Sequence, residues 1–409
     1  MRILALGGAG EMGAVAARVL ADDERVTGLV VADLDQQRAA AVADTLGSKV
    51  SARGLDVTDH PALMAAMRDC DLVVNTVGPF FRFGVPTLAT AIETGRDYVD
   101  ICDDPQPTLE MLAMGERAKA AGVTALIGMG ASPGIANLLA VLAGRQLDTV
   151  ETMLTGWNVV AAQPGPGADH QTSAALLHAM RQISGTIPLT RDGTVVQRPA
   201  LEQIRFDYPG IGPGIGRSFG HPEAVTLNRA FPELCDNTNI VVGDRATLAG
   251  LSTLRRAIDR RIVSAQRAAR LAGWTERLIP ANPASIIKPG GMPPLFAIAT
   301  GRRDNQPATV ATALAQIPGL SMAANTGIPL AVAAPLVAAS ARPGVHTPEI
   351  LLDPTAFFAD LSRHCIGNPQ PHAMTATTRS WESPHAAAVA LNTSLLTAFL
   401  APPAHTLSG

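Results

Sequence analysis

The sequence predicts an α/β protein that begins with a Rossmann-type, doubly wound parallel sheet and continues into a second α+β domain. A short apolar run, Ile3 to Leu6, breaks into the pattern Gly8-x-Gly10-x-x-Gly13, and an alanine-rich helical run follows at once. A second apolar run ends in an acid, Asp33, about twenty residues after the last glycine. Strand-like and helix-like segments alternate over the first 130 residues, as in a parallel sheet covered by helices.

The chain of 409 residues is longer than one hydrophobic core usually serves, so two domains are expected. Residues 1–130 are predicted to form the dinucleotide-binding domain. Residues 131–339 are predicted to bind substrate and to form a homodimer. The segment from about 340 to 409 is expected to pack back on the first domain.

The glycine turn predicts a pyrophosphate site. Gly8 permits a tight turn, Gly10 lets the backbone approach the ligand, and Gly13 lets helix and strand pack closely. The unpaired N–H groups at the start of the following helix attract a phosphate, which adds Glu11 and Met12 to the predicted cofactor contacts.

The acid at the end of the second strand predicts the type of cofactor. A carboxylate at Asp33 would accept hydrogen bonds from the ribose hydroxyls of the adenosine and would repel a 2′-phosphate. NAD is therefore favoured over NADP. Arg38, about one helical turn further on, makes that preference moderate.

Two further strand ends supply predicted cofactor contacts. Asp56 and Val57 follow the third strand, where such folds reach the adenine; a helix cap through Thr58 or Asp59 is an equally good interpretation. After the fourth strand, a loop runs from Asn75 to Phe80 at the expected switch point of the sheet. Its cofactor contacts are predicted at Thr76, Val77, Gly78 and Pro79, and Phe80 is predicted to contact the substrate.

Acids crowd the end of the fifth strand, beside the expected nicotinamide. Asp100 lies within the segment, where solvation alone explains it poorly, so it is the first choice for binding an amine or relaying a proton. Tyr98 and Asp103 complete the predicted catalytic group. Asp104, before Pro105, is most simply a helix cap.

Single polar residues predict further substrate contacts. Ser132 precedes Pro133 and is a plausible helix N-cap, and that helix start would hold a substrate carboxylate. His170 lies at a loop-to-helix junction, where packing or capping is the alternative, and His221 offers an imidazole close to the Glu223 carboxylate. Because His221 and Glu223 have no further ligand at a suitable spacing, no metal site is predicted. The glycines from Gly210 to Gly216 are interpreted as a loop.

The bulk properties exclude several classes of partner. A formal net charge of −3 gives no reason to expect nucleic acid or an anionic membrane. The four cysteines are widely spaced, which fits a reducing compartment. With a first strand at Arg2 and a longest apolar stretch, Ile328 to Ala341, too short to span a bilayer, we expect no signal peptide, no membrane span and a cytoplasmic location. The arginine-rich stretch from Ala246 to Leu278 is expected to be a long amphipathic helical stretch with a solvated or subunit-facing side.

Several motifs, in this order, resemble the saccharopine dehydrogenase superfamily, which includes saccharopine reductase, carboxynorspermidine dehydrogenase and lysine 6-dehydrogenase. The resemblance covers roughly Met1 to Leu361. Its motifs are Val74–Phe80, Tyr98–Asp100, Gly130–Asn137, Gly220–Glu223 with Thr226 and Leu227, Asn325–Pro329 and Gly344–Ile350.

The resemblance implies a nicotinamide-dependent Rossmann domain, a second domain with a mixed sheet and an active site between the two domains. It implies oxidation of an amine to an imine, or the reverse. Saccharopine reductases carry an acid before the Pro-Gly pair where this chain has Ser132. Ser132 and Asn137 look more like the lysine 6-dehydrogenase branch, so oxidative deamination of L-lysine or a related amino acid is expected. The alternatives are a saccharopine- or carboxynorspermidine-type imine reductase and a non-catalytic NAD-sensing protein.

Overall fold

The computed structural model of the protein describes residues 1–159, 174–276, 291–316, 318–319 and 321–400. The strands, in chain order, are β1 (Arg2–Leu6), β2 (Gly28–Asp33), β3 (Val50–Gly54), β4 (Leu72–Asn75), β5 (Asp97–Asp100), β6 (Thr124–Leu126), β7 (Thr149–Asn158), β8 (Thr186–Arg191), β9 (Thr194–Pro199), β10 (Gln203–Tyr208), β11 (Gly212–Ser218), β12 (Asp236–Val242), β13 (Leu295–Arg303), β14 (Gln306–Leu314), β15 (Gly344–His346) and β16 (Thr375–Arg379). The helices are α1 (Glu11–Asp22), α2 (Gln36–Asp44), α3 (His60–Arg68), α4 (Phe80–Thr94), α5 (Pro105–Leu112), α6 (Gly115–Ala120), α7 (Ile135–Gly144), α8 (Ala174–Gln182), α9 (Glu223–Thr226), α10 (Arg245–Asp259), α11 (Ala265–Glu276), α12 (Met322–Ser340), α13 (Pro348–Leu351), α14 (Pro354–Ser362) and α15 (Pro384–Leu400).

The chain divides into two compact units. The first comprises Met1–Ile135 and Ala323–Phe357, and the second comprises Ala136–Met322 and Phe358–Gly409. In the predicted arrangement, all residues after about 340 pack on the first domain. In the structure, only the residues up to Phe357 belong to the first unit, and those from Phe358 onward belong to the second. Strand β15 does pair with β6 in the first unit, whereas β16 pairs with β14 in the second.

The first unit contains a seven-stranded parallel sheet in the order β15-β6-β5-β4-β1-β2-β3. The chain runs outward from β1 to β3, then returns to β4 on the other side of β1. The carboxyl ends of β1 and β4 are therefore the topological switch point, where open α/β sheets bind ligands. The predicted Rossmann class is confirmed.

Buried apolar strands and polar helix caps account for the alternation of strands and helices in the first unit. All four residues of β4 are buried, and β1 is buried except for Arg2, because parallel strands are covered by helices on both faces. Asp35 starts α2 by accepting hydrogen bonds from the backbone N–H groups of Gln37 and Arg38. Such local signals place each helix directly after its strand and leave the loops at the carboxyl edge.

The second unit contains a nine-stranded mixed sheet. Its main path is β10-β11-β12-β7-β13-β14-β16, with β8 pairing both β12 and β9. A hairpin turn at Asp192–Gly193 joins β8 to β9, and both turn residues have a positive φ. The predicted α+β character of the second domain is confirmed.

One predicted loop differs in the structure. The glycine-rich segment from Gly212 is a strand, β11, because it pairs antiparallel with β10 and is not a free loop. Over its described residues the arginine-rich stretch is helical, as predicted. It consists of two helices, α10 and α11, with Arg261 between them in a left-handed conformation that ends the first helix.

Helix α12 has 19 residues and is long and apolar enough to cross a membrane by length and composition alone. It starts earlier than the predicted apolar stretch, at Met322. Within its most apolar window, 56% is buried inside the protein. A buried core helix has the same length and composition, so α12 is weak support for a membrane span.

Candidate functional site

The glycine turn between β1 and α1 packs against the loop that follows β4. Gly7 has a left-handed backbone, with a φ of 70°. A Cβ atom on Gly13 would lie 2.1 Å from the Gly7 carbonyl oxygen, so no side chain fits there. The Thr76 hydroxyl donates to the carbonyl oxygens of Leu6 and Gly7, at 2.9 and 3.1 Å. The residue with the left-handed backbone is thus Gly7, whereas the sequence analysis assigned the tight turn to Gly8.

The start of α1 offers an open backbone surface. Gly10 is the N-cap residue, and no side chain caps the helix. Among the described residues, a Cβ on Gly10 would meet only the Gly7 carbonyl oxygen within 4 Å, at 3.2 Å. Glu11 and Met12 are half-buried in the first turn. Uncapped N–H groups at a helix start bind phosphate, so this turn fits the pyrophosphate of a dinucleotide.

Asp33 lies at the carboxyl end of β2, beside the glycine turn. Its carboxylate accepts a hydrogen bond of 3.1 Å from the Ala9 N–H and one of 3.2 Å from the Asp35 N–H. The side chain is half-buried, and each carboxylate oxygen retains acceptor capacity. The neighbouring Leu34 is 76% exposed. An exposed apolar side chain at this edge is suited to an adenine face, and the sequence analysis did not single it out.

Asp56 and Val57 occupy the next strand end. Asp56 accepts hydrogen bonds from the N–H and the hydroxyl of Thr58, at 2.8 and 2.7 Å, and these bonds lower the pKa of its carboxyl group. Asp59 is the N-cap of α3, as the capping alternative stated. Val57 is half-buried against the core. Cofactor contact by Asp56 and Val57 stays a prediction.

The loop after β4 is organised by a buried amide. The Asn75 side chain is fully buried, and its Oδ1 accepts a hydrogen bond of 3.0 Å from the Val77 N–H. Val77, Gly78 and Pro79 are half-buried at the carboxyl edge, as expected for residues beneath a ligand. The Thr76 hydroxyl already serves the glycine turn, so Thr76 holds two ligand-facing loops together.

A buried hydrogen-bond chain links the ends of β4, β5 and β6. Asn75 Nδ2 donates to the Tyr98 hydroxyl at 2.8 Å, and that hydroxyl donates to Asp100 Oδ2 at 2.9 Å. Asp100 Oδ1 accepts from the backbone N–H groups of Cys102 and Gly128, at 3.0 and 2.8 Å. We call these three side chains the Asn75–Tyr98–Asp100 network. It fixes the mutual position of three loops at the carboxyl edge.

Burial dominates the electrostatics of this network. Asp100 has no exposed surface, and burial raises the pKa of its carboxyl group to about 6, against the opposing effect of three hydrogen bonds. Burial and the neighbouring Asp100 raise the pKa of Tyr98 well above its usual range. Tyr98 and Asp100, two of the predicted catalytic residues, are therefore buried beneath the loops. The Asp100 carboxylate holds backbone N–H groups of those loops in place.

The residues after β5 differ in exposure. Cys102 is fully buried, its Sγ lies 3.5 Å from the Thr108 hydroxyl, and burial raises the pKa of its thiol well above the usual range. Asp103 and Asp104 are half-buried. Asp104 is the N-cap residue of α5, as predicted, although no capping hydrogen bond from its side chain is recorded. Among the three predicted catalytic residues, Asp103 alone reaches the surface.

The loop after β6 closes before its helix begins. The Gly130 N–H donates to the Pro133 carbonyl at 2.9 Å, and the Ile135 N–H donates to the Gly130 carbonyl at 3.0 Å. Helix α7 then starts at Ile135. Ser132 is consequently a half-buried loop residue and not the predicted N-cap, because a closed turn separates it from the helix.

The start of α4 corrects another predicted substrate contact. Phe80 is 6% exposed and packs in the core of the first unit, where its ring lies against Gly84. Phe81 is 47% exposed. The first helical turn directs Phe80 inward, so Phe80 is not the predicted substrate contact and Phe81 is the exposed aromatic side chain at this position.

Two of the remaining predicted substrate residues, Asn137 and His221, belong to the second unit. Asn137 is buried within α7, at 1% exposure. His221 belongs to the second unit and packs in an aromatic cluster, stacked on Trp157 with ring centroids 6.0 Å apart. His170 lies outside the described residues. Across the described ranges, no group of three or more His, Cys, Asp or Glu side chains is arranged to hold a metal ion.

Residues 3–126 match the family model described as the saccharopine dehydrogenase NADP binding domain. A trans-acting enoyl reductase of Mycobacterium ulcerans is 32% identical over 102 residues, which are 24% of each chain. A saccharopine dehydrogenase-like oxidoreductase of Rattus norvegicus is 35% identical over 118 residues, which are 27% of each chain. The chain thus spans about a quarter of the length of these relatives.

Two similarities extend further along the chain. Carboxynorspermidine synthase of Vibrio alginolyticus is 23% identical over 259 residues, which are 57% of this chain and 60% of that protein. The apo saccharopine dehydrogenase (L-Glu forming) of Saccharomyces cerevisiae superposes with a TM-score of 0.53 at 19% identity, covering 88% of this chain and 96% of that one. The second similarity shows a shared fold.

Proposed function

We propose that this chain, which belongs to the saccharopine dehydrogenase superfamily, is a nicotinamide-dependent oxidoreductase acting on the CH–NH2 or CH–NH group of an amino acid. The reaction we favour is oxidative deamination of L-lysine or a related amino acid. One observation carries the proposal: the glycine turn and the Asn75–Tyr98–Asp100 network meet at the carboxyl edge of one sheet, with the half-buried Asp103 beside them.

The chain's own residues fit a dinucleotide. The turn from Gly8 to Gly13 would hold the pyrophosphate, Asp33 the adenosine ribose, and the loop from Thr76 to Pro79 the nicotinamide ribose. When bound, the cofactor supplies hydride transfer at the nicotinamide ring, which the protein itself does not provide. The residues at this edge then have to orient the substrate and move its protons.

We assign the cofactor preference to NAD on the strength of Asp33. The matched family model is described as NADP-binding, which favours NADP instead. A half-buried carboxylate already held by the Ala9 N–H is positioned to accept from ribose hydroxyls, and it repels a 2′-phosphate. Arg38 and Arg53 lie on the segments that flank this edge.

The substrate amine is protonated in water, so a base has to accept a proton before hydride leaves the carbon. Asp103 is our choice for that role, because Asp100 is fully buried with both carboxylate oxygens engaged. Asp100 is then a positioning residue that holds the loops on either side. Water adds to the resulting iminium, and the products are an aldehyde, an ammonium ion, reduced cofactor and one proton.

Two other reactions have specific support. The similarity to carboxynorspermidine synthase reaches 57% of the chain and favours reduction of an imine formed from an amine and an oxo compound. The enoyl reductase relative matches only 24% of the chain, in the dinucleotide-binding part, and favours reduction of a carbon–carbon double bond. The non-catalytic alternative is a protein that binds NAD without turnover.

A spectrophotometric panel separates these functions. The full-length protein is mixed with NAD or NADP and with single amino acids at neutral and alkaline pH, and formation of reduced cofactor is followed. Formation with lysine supports the deaminase. Consumption of reduced cofactor with an oxo acid plus an amine supports the imine reductase, and consumption with an α,β-unsaturated thioester supports the enoyl reductase. Binding without any turnover would overturn all three.

A pair of neighbouring acids tests the assignment of the base. We expect Asp103→Asn to lower kcat strongly and to remove its dependence on a basic group, with cofactor affinity retained. Asp104→Asn is the matched control, because it removes the adjacent carboxylate at the start of α5. Equal kcat losses in both variants would show that Asp103 is not the base.

A further inference from the structure

A residue far along the chain reaches the carboxyl edge of the first sheet. Helix α12 leads into β15, which runs parallel to β6, so the start of α12 lies at the carboxyl edge where β6 also ends. Residues 323–357 belong to the first unit, so this placement is internal to that unit. The structure thus adds a segment from near residue 325 to an edge otherwise built from the first 135 residues.

Two close approaches fix the start of α12. A Cβ atom on Gly327 would lie 2.5 Å from the Met12 carbonyl oxygen and 3.0 Å from the Val15 Cβ, so α12 touches the first turns of α1. A Cβ atom on Gly130 would lie 3.0 Å from the Thr326 Cγ2. Thr326 is consequently placed between the pyrophosphate-binding start of α1 and the loop after β6.

The side chain of Thr326 is suited to a polar ligand. It is half-buried, and its methyl group faces the Gly130 backbone. Within the part of the chain that the structure describes, the Thr326 hydroxyl makes no hydrogen bond. The neighbouring Thr76 hydroxyl, in contrast, is fully engaged by two carbonyl oxygens of the glycine turn.

We infer that Thr326 is a cofactor-binding residue whose hydroxyl contacts the nicotinamide-side phosphate or the adjoining ribose of the dinucleotide. The inference rests on the cofactor part of the proposed function. It assigns a role to the Asn325–Thr326–Gly327 segment, in which Gly327 permits contact between α12 and α1 and Thr326 supplies the hydroxyl. The contact between α12 and α1 thus brings the segment around Thr326 next to the first glycine turn.

Binding measurements on isolated ligands test the inference without any substrate. We expect Thr326→Val, which keeps the shape and removes the hydroxyl, to raise the Kd for NADH by about threefold to tenfold, the loss of one hydrogen bond. ADP-ribose, which carries the pyrophosphate and the second ribose, should weaken to the same degree. AMP should bind Thr326→Val and wild type alike. Thr326→Ser should restore NADH affinity to within about twofold of wild type.

Control variants separate a ligand contact from packing. Ser340→Ala, at the opposite end of α12, should leave every Kd unchanged, since the Ser340 hydroxyl bonds only to Val337 among the described residues. Equal Kd values for NADH in Thr326→Val and wild type, or an equal loss for AMP, would overturn the inference. If wild type binds no dinucleotide, the inference and the proposed function both fail. If wild type binds NADH but turns over no substrate, only the proposed function fails.

Discussion

The hydroxyl of Tyr98 donates a hydrogen bond of 2.9 Å to Asp100 Oδ2, and neither side chain has any exposed surface. The other carboxylate oxygen of Asp100 holds two backbone N–H groups from different loops. A buried carboxylate is costly unless its oxygens are satisfied, and here one oxygen accepts from the Tyr98 hydroxyl and the other from two backbone N–H groups. This pair is therefore the structural centre of the carboxyl edge, and we propose that Asp103 is the acid that a ligand meets.

The two tyrosines of the chain form a matched pair for testing this centre. Tyr98→Phe removes a donor to Asp100 and an acceptor for Asn75, so we expect the free energy of unfolding to fall by about 1–3 kcal/mol. Tyr208 is equally buried, but its hydroxyl has no hydrogen-bond partner among the described residues, so Tyr208→Phe should cost little. Urea unfolding measures both. Similar losses in the two variants would contradict the network.

The raised pKa of Asp100, about 6 against an ordinary 3.8, predicts a pH dependence of stability. Between these values the native protein binds more protons than the unfolded chain, so this group makes stability fall as the pH rises from about 4 to about 6, with no further effect above that. Subtracting the unfolding free energy of Asp100→Asn from that of wild type at each pH isolates the effect. Asp56→Asn should give the opposite sign below about pH 4, because hydrogen bonds lower the pKa of Asp56. A flat difference for Asp100→Asn would refute the assignment.

Asp33 is predicted to select the cofactor. Asp33→Ala should raise the Kd for NAD and narrow the difference between NAD and NADP, because the ribose loses an acceptor and a 2′-phosphate no longer meets a carboxylate. Fluorescence titration with NADH and NADPH measures the ratio. Asp35→Ala is the control: it removes the α2 cap and should cost about 1 kcal/mol of stability without changing the ratio. A wild-type preference for NADPH would show that Asp33 does not act in this way.

Two glycines of the turn should respond differently to a methyl group. Gly13→Ala places a Cβ 2.1 Å from the Gly7 carbonyl oxygen, so we expect a clear fall in melting temperature. Gly10→Ala meets that same oxygen at 3.2 Å and should fold almost normally. Its methyl group instead occupies the open surface above the turn, so it should weaken dinucleotide binding. Thermal unfolding combined with NADH titration separates the two effects, and unchanged NADH binding in Gly10→Ala would place the pyrophosphate elsewhere.

Local signals made much of the first unit predictable. The apolar β1, the glycine spacing and the acid at the end of β2 all lie within the first 33 residues, and each is a short sequence pattern that can be identified without the fold. The same kind of signal misled at Ser132, since Ser-Pro normally starts a helix, whereas contacts between Gly130 and the residues after it delay α7 to Ile135. The sequence pattern also predicted that Phe80 is exposed to the substrate, but Phe80 is buried and Phe81 is exposed. Only packing decides which of two adjacent aromatic rings is buried.

By itself, the sequence determined that a dinucleotide-binding sheet begins the chain, since strand, turn and helix preferences are local and repeat along it. It also determined which strand ends carry polar side chains. Only the tertiary structure decided what those side chains do. Asp100 and Tyr98 became a buried network because three strand ends meet around them, and Thr326 joined the same edge because α12 packs against α1 through Gly327. Burial and contact over long sequence separations depend on the folded chain, and residue spacing does not encode them.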